Sequence, residues 1–297
     1  MIFRDQIRVE PAYREVLRAA GLERVDTILS CTLGKIVAWS RTTDSLYIAD
    51  EARGVGLYVK RYFYPTWRHR LRGMFRGTCF GRHRGRAEAK ALNAMRGLGL
   101  PVVRPIAYGC RRWGPFLTAC FLITEEVPDA PNLTTFAQQV QSGERPLSAA
   151  QRRALTVGLA ALVHELHHAG YAHGRLFWRN VLVRFGPTGA PEFYLLDPEP
   201  PKRLERLGRG GRWWLWELAK LVASAQPFTT RTERLRFVRR YFGIKKLTAD
   251  AKAQVHEIER LARGWRRHEQ QRIRMNARFE AWNHLLGREL AADGGTA

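Results

Sequence analysis

The rhythm of apolar and polar positions changes along the chain. Between residues 25 and 63 the segments "VDTILSC", "GKIVAWS", "SLYIAD" and "GLYVKRYF" are short, β-branched or aromatic, and parted by Gly, Asp and Thr. That pattern predicts strands. "RAEAKALNAMRGLG" reads as a helix ended by Gly97 and Gly99, and "PVVRPIAYG" and "PFLTACFLITEEV" return to strand character. "PDAPNL" is a proline-rich joint and predicts a boundary between an N-lobe, 1–127, and a C-lobe, 128–297. Beyond it, Leu155, Leu159, Leu162, Val163 and Leu166 fall at helical spacing in "QRRALTVGLAALVHELHHAG". "VLVRF" and "EFYLL" flank "GPTGAP", a hairpin signal. "RWWLWELAKLVASA", "TERLRFVRRYFG" and a long segment with Val255, Ile258, Leu261 and Trp265 on one stripe predict further helices. "ADGGTA" reads as a loose end. The arrangement is α+β: a small strand-rich part, then a larger helical part holding one hairpin.

Composition adds one thing to this picture. The 297 residues hold 50 Lys and Arg against 27 Asp and Glu, a net charge of +23. Such a balance implies an anionic partner, whether nucleic acid, an anionic membrane surface or a phosphorylated substrate. Cys31, Cys79, Cys110 and Cys120 lack CxxC spacing, which argues against a zinc site and a disulfide framework. A reducing, cytoplasmic compartment is expected. No run of about 18 apolar residues occurs, and the first residues lack the apolar core of a signal peptide.

The hairpin carries the candidate chemistry. Phosphoryl transfer needs a cation on the nucleotide phosphates, a carboxylate to fix that cation, hard oxygens for Mg²⁺, and a group to handle the attacking hydroxyl. Lys60 lies in "LYVKRY", where alternation sets Tyr58 and Lys60 on one face and Val59 and Arg61 on the other. Glu88 is the one acid among ten Lys and Arg between Lys60 and Lys90. A lysine on a strand is ordinarily a solvated charge, so this pair gains weight only beside the rest. Asn180 stands directly before "VLV", and Asp197 directly after "FYLL". A tight hairpin brings those strand ends together, so both oxygens could meet one ion. Alone, each would read as a turn or cap residue.

"HGRLFWRNVLV" with "FYLLDPE" resembles the catalytic and metal-binding segments of protein kinases, H-R-D-L-x-x-x-N and D-F-G. Together with "LYVKRYFYPTWRHRLRGMFRG", "AEAKALNAMRGLGLPVVRPIAYG" and "FLITEEV", the chain resembles the lipopolysaccharide-core kinases of the Kdo/WaaP group. The resemblance spans roughly residues 55–200, with weaker similarity in "WELAKLVAS" and "RLRFVRRYFG". It implies a two-lobed protein-kinase-like fold that binds ATP and Mg²⁺ and phosphorylates a sugar hydroxyl of a lipid-linked glycan. By that resemblance Lys60 would anchor phosphates with Glu88 as its helix partner. Glu125 and Glu126 would form the segment beside the adenine, His173 would be structural, and Asn180 and Asp197 would hold Mg²⁺.

Two departures stand out. Only Gly34 remains of a glycine-rich loop. Arg175 stands where the catalytic aspartate belongs, and a guanidinium accepts no proton at neutral pH, though it can bind phosphate bidentately. Glu199 is the nearest acid in sequence that could substitute. An active kinase with another base, a pseudokinase serving as nucleotide sensor or scaffold, and a kinase-fold enzyme of other chemistry all stay open.

Arg68, Arg70, Arg72, Arg76, Arg82, Arg84 and Arg86, interleaved with Trp67, Phe75 and Phe80, could be a solvated loop, a nucleic-acid surface or a membrane-docking surface. The resemblance favours docking on the inner face of the bacterial cytoplasmic membrane. No RRM, KH, zinc-finger or helix-turn-helix signature supports nucleic acid as partner. "HELHH" places His164 and His168 four apart around Glu165, in the register of a zinc-protease helix, but no third ligand follows at a familiar spacing.

Overall fold

Burial alternates along β4 (Leu57–Phe63) as the strand rhythm requires, with Leu57, Val59 and Arg61 buried and Tyr58 and Lys60 partly exposed. The computed structural model describes residues 3–49, 54, 56–75, 77–199 and 212–285. Arg76 and the "ADGGTA" end lie outside them. The chain divides into two compact units. One is Met1–Asn93, Val103–Pro128 and Ile273–Ala297, and the other Ala94–Val102 and Asp129–Arg272.

In the first unit, β1 (Phe3–Val9), β2 (Lys35–Ser40), β3 (Thr43–Ile48), β4, β5 (Pro105–Trp113) and β6 (Phe116–Glu125) form an antiparallel sheet of order β1-β5-β6-β4-β3-β2. Val59, Ile106, Phe121 and Ile123 pack into one core with Leu17, Leu22 and Ile28 of the segment holding α1 (Arg14–Ala19) and α2 (Val25–Ser30).

Helix α2 corrects the expected strand at "VDTILSC". Its β-branched residues favour a strand locally, but Val25 and Ile28, three apart, are the ones buried in the core. Thr27 and Ser30 turn their hydroxyls back onto the carbonyls of Arg24 and Asp26. Arg61 then closes the helix. Its Nη1 donates to the carbonyls of Ile28, Leu29 and Cys31 at 3.2, 3.1 and 2.6 Å, while Asp44 holds its other edge at 2.8 Å. A buried guanidinium on the negative end of a helix is a tertiary device that local propensity cannot reveal. Strand β1 was not expected, because "FRDQIRV" is an exposed edge strand with no buried side to impose alternation.

The basic stretch is not a loop. It forms α3 (Trp67–Phe75), a 3-10 turn at Thr78–Phe80, and α4 (Arg84–Gly97). Gly85 lets α4 lie directly on β6, since a Cβ there would run into the Phe121 carbonyl oxygen.

In the second unit, α6 (Ala149–His168) opens on a Ser148–Gln151 capping box and buries Leu159, Leu162, Val163 and Leu166. It packs with α5 (Leu133–Ser142), α7 (Trp213–Ala225), α8 (Arg231–Phe242) and the first part of α9 (Ala249–Leu285), up to residue 272, around an apolar interior. His164 Nδ1 lies 2.9 Å from the Tyr241 carbonyl and His167 Nδ1 2.7 Å from the Tyr241 hydroxyl. These histidines therefore tie α6 to α8. The hairpin forms as expected: β7 (Val181–Phe185) and β8 (Pro191–Leu195) are antiparallel, with Val181 opposite Leu195. No helix among the described residues is long and apolar enough to cross a membrane.

Candidate active site

In the first unit, β4 and α4 bring Lys60 and Glu88 together. Lys60 Nζ stands 3.1 Å from both carboxylate oxygens, and the Tyr62 hydroxyl donates to Glu88 Oε2 at 2.7 Å. The Glu88 side chain is 10% exposed and that of Lys60 23%. A carboxylate so buried needs its partners, and here it holds the ammonium at a fixed place on the sheet. This is the orientation that the spacing could only suggest.

Glu125 ends β6 in the same unit, and Glu126 follows it. Glu125 accepts from the Tyr13 hydroxyl at 2.7 Å. Glu126 Oε2 accepts from the Tyr47 hydroxyl and the Gly56 amide, each at 2.7 Å, while its own amide donates to the Gly56 carbonyl. Burial, with help from Glu126, pushes the Tyr58 phenol up to about 12. Both carboxylates thus serve the sheet.

The second unit holds the loop from His173 to Asn180. His173 is fully buried, and burial lowers its pKa to about 4. Its Nε2 donates to the Leu196 carbonyl at 2.9 Å, and its Nδ1 accepts from the Arg175 amide at 3.3 Å, which fixes one neutral tautomer. The Asn180 side chain donates to the Arg175 carbonyl at 2.8 Å. The Leu196 amide donates to the Asn180 carbonyl at 3.1 Å, and the Glu199 amide to the His173 carbonyl at 2.8 Å. Between them Asp197 adopts a left-handed backbone, φ 57°, a conformation Asp tolerates better than most residues. Arg175 Nη1 donates to Asp197 Oδ2 at 2.9 Å. The hairpin end therefore brings Arg175, Asn180 and Asp197 into one linked group. Glu199 lies directly over the Gly174 α-carbon, so a Cβ on Gly174 would strike it.

Asn180 and Asp197 have the right chemistry for a divalent ion, an amide oxygen and a carboxylate. As folded, however, the carboxylate already carries a cation, the Arg175 guanidinium. The arrangement suits a guanidinium better than a metal ion.

Sequence reasoning missed what supports this loop from beneath. Glu217 of α7, 2% exposed, accepts from the His173 amide at 2.7 Å and also bonds the Gly174 amide. Lys220 Nζ donates to the Gly174 carbonyl, and Ser224 Oγ accepts from the Trp178 amide at 3.0 Å. Burial pushes the Glu217 carboxyl up to about 7, against the pull of Lys220 and the two amides. The signal was present in "WELAKLVAS": Glu217, Lys220 and Ser224 share one helical face among apolar neighbours.

A model of the lipopolysaccharide kinase (Kdo/WaaP) family matches residues 34–241. Over 159 residues the chain is 31% identical to the lipopolysaccharide core heptose(I) kinase WaaP of Pseudomonas aeruginosa, covering 53% of this chain and 59% of that kinase. The match therefore spans less than two thirds of that relative's length. Over 215 residues it is 26% identical to the 3-deoxy-D-manno-octulosonic acid kinase of Pasteurella multocida, covering 72% of this chain and 81% of that one. The solved structure of WaaP in complex with acyl carrier protein superposes with a TM-score of 0.59 at 22% identity, covering 87% of this chain and 98% of that one. The kinase-like α+β fold expected from the sequence is thus the fold observed. This chain belongs to the lipopolysaccharide kinase (Kdo/WaaP) family.

Proposed function

We propose that the chain is an ATP-binding kinase-like protein acting on a sugar hydroxyl of a lipid-linked glycan of the lipopolysaccharide-core type. The observation that carries this reading is the Lys60–Glu88 pair, a partly exposed ammonium held in place by a buried carboxylate. Lys60 grips nucleotide phosphates, and the segment holding Glu125 and Glu126 lies beside the base. Asn180 and Asp197 serve the phosphate end of the reaction, as the residues that would hold Mg²⁺ in a kinase. The heptose and octulosonic acid kinases it resembles support the acceptor class. A second reading, a pseudokinase that senses nucleotide or acts as a scaffold, is favoured by Arg175 in the base position and its bond to Asp197.

ATP should raise the melting temperature by several degrees. A ligand at a hundredfold excess over its Kd adds about 2.7 kcal/mol of stability. Lys60→Met should remove most of that shift. The absence of a shift with any nucleotide in the wild type would sink the reading.

The basic face supports docking on an anionic lipid surface. Phe75 and Phe80 are 85% and 82% exposed, and Arg68 and Arg72 on α3, Arg82 after the 3-10 turn and Arg84 at the start of α4 are exposed too. Trp67 instead packs edge-on to Trp113 and Phe116. Two exposed phenylalanines and four exposed arginines in one stretch of chain match an acyl–headgroup boundary. The protein should float with vesicles containing phosphatidylglycerol at low salt and not with neutral ones. Phe75→Ser with Phe80→Ser should weaken that binding by roughly 10-fold or more. Equal binding by the double variant would remove the docking assignment, and a preference for one nucleic-acid sequence or structure would move it to that partner.

A further inference from the structure

We propose that Arg175 takes the place of the divalent cation, so that nucleotide phosphates are bound here without Mg²⁺. This rests on the nucleotide reading above and goes beyond it, since that reading by itself expects a metal.

The geometry is specific. The guanidinium is seated on the carboxylate that the metal would need, 2.9 Å from Nη1 to Oδ2. The Arg175 backbone is locked on both sides. Its amide donates to His173 Nδ1, and its carbonyl accepts from the Asn180 side chain at 2.8 Å and the Phe177 amide at 2.7 Å. Asn180, the other hard-oxygen candidate, thereby spends its amide nitrogen on holding the arginine in place. Asp197 is aimed from the opposite side by its left-handed backbone, clamped between the bonds of Leu196 and Glu199 to the loop.

Charge completes the argument. A divalent ion on Asp197 would lie against a guanidinium that is always protonated, and like charges repel strongly in a partly buried place. The guanidinium occupies Asp197 Oδ2, so a metal ion on this carboxylate would have to sit beside a fixed positive charge. The Arg175 side chain is 49% exposed, and a guanidinium has five N–H donors in a fork that matches a phosphate edge. One end of Arg175 is therefore fixed by Asp197, and the exposed part is suited to an anion. An arginine so held supplies one positive charge where a metal supplies two, and its position is set by the protein rather than by the ligand.

The test is ATP binding by calorimetry, in EDTA and in excess Mg²⁺, on the wild type, Arg175→Ala and Arg175→Lys, with the melting temperature of each unliganded protein checking that it folds. The wild type should bind with equal affinity, within about threefold, in both buffers. Arg175→Ala should lose at least tenfold in EDTA and recover in Mg²⁺, and Arg175→Lys should keep metal-independent binding. Wild-type binding that needs Mg²⁺, or Arg175→Ala binding in EDTA as tightly as the wild type, overturns the proposal while leaving the nucleotide reading intact. No binding by the wild type in either buffer overturns both.

Discussion

Arg175→Asp is expected to raise the rate of ATP-dependent phosphoryl transfer by about 10²–10⁴-fold, the usual contribution of a positioned general base. On the nucleotide reading proposed above, the other residues that transfer needs are present. Lys60 is already fixed by Glu88, and Asn180 and Asp197 already stand at the end of the hairpin. The loop backbone that would carry the new carboxylate is bonded through His173, Asn180 and Phe177. The substitution also frees Asp197 from its guanidinium, so the gain should appear only with Mg²⁺ present. ADP formation with heptose- or octulosonate-bearing acceptor, compared with and without Mg²⁺, reads the effect. A variant that binds ATP and Mg²⁺ yet makes no more ADP than the wild type would show that Arg175 is not what limits transfer. It would also favour the scaffold reading.

The hairpin and its flanking Asn180 and Asp197 were legible because a tight turn between two apolar runs leaves one geometry for the strand ends. The Lys60–Glu88 pair was legible only by elimination, since a strand face and a lone acid do not say that they meet. What stayed hidden depended on contacts distant in sequence. Arg61 capping α2 makes a helix of a segment whose own composition favours a strand. Edge strand β1 carries no alternation because neither of its faces is buried. The Arg175–Asp197 bond joins residues 22 apart in sequence, and nothing in either segment announces that the arginine turns toward the aspartate. The fold shows where Arg175 is anchored, on Asp197.

Glu217→Ala should cost about 3–5 kcal/mol, the scale for removing one partner from a buried charged network. Domains are commonly stable by only about 5–15 kcal/mol. The truncation leaves the amides of His173 and Gly174 and the ammonium of Lys220 without their buried acceptor. Glu217→Gln keeps one carbonyl acceptor and should cost far less. It also isolates a pH effect. Burial raises the Glu217 carboxyl from 4.5 to about 7, so the folded chain holds that proton more tightly than the unfolded one. Such a group favours the fold most below pH 4.5, and that contribution is lost as pH rises through about 7, by about 3 kcal/mol at most. His173 works in the opposite sense, because its folded value near 4 means stability is lost as pH falls below 6.5. The two slopes oppose each other in the wild type, so the informative quantity is the difference between wild type and Glu217→Gln. Measured by urea unfolding between pH 4.5 and 8, the wild type should lose ground to the glutamine variant as pH rises. A difference that does not change with pH would show that Glu217 stays ionised throughout. In that case the loop would be held by a permanent carboxylate–ammonium pair with Lys220, and its geometry would be insensitive to pH between 4.5 and 8.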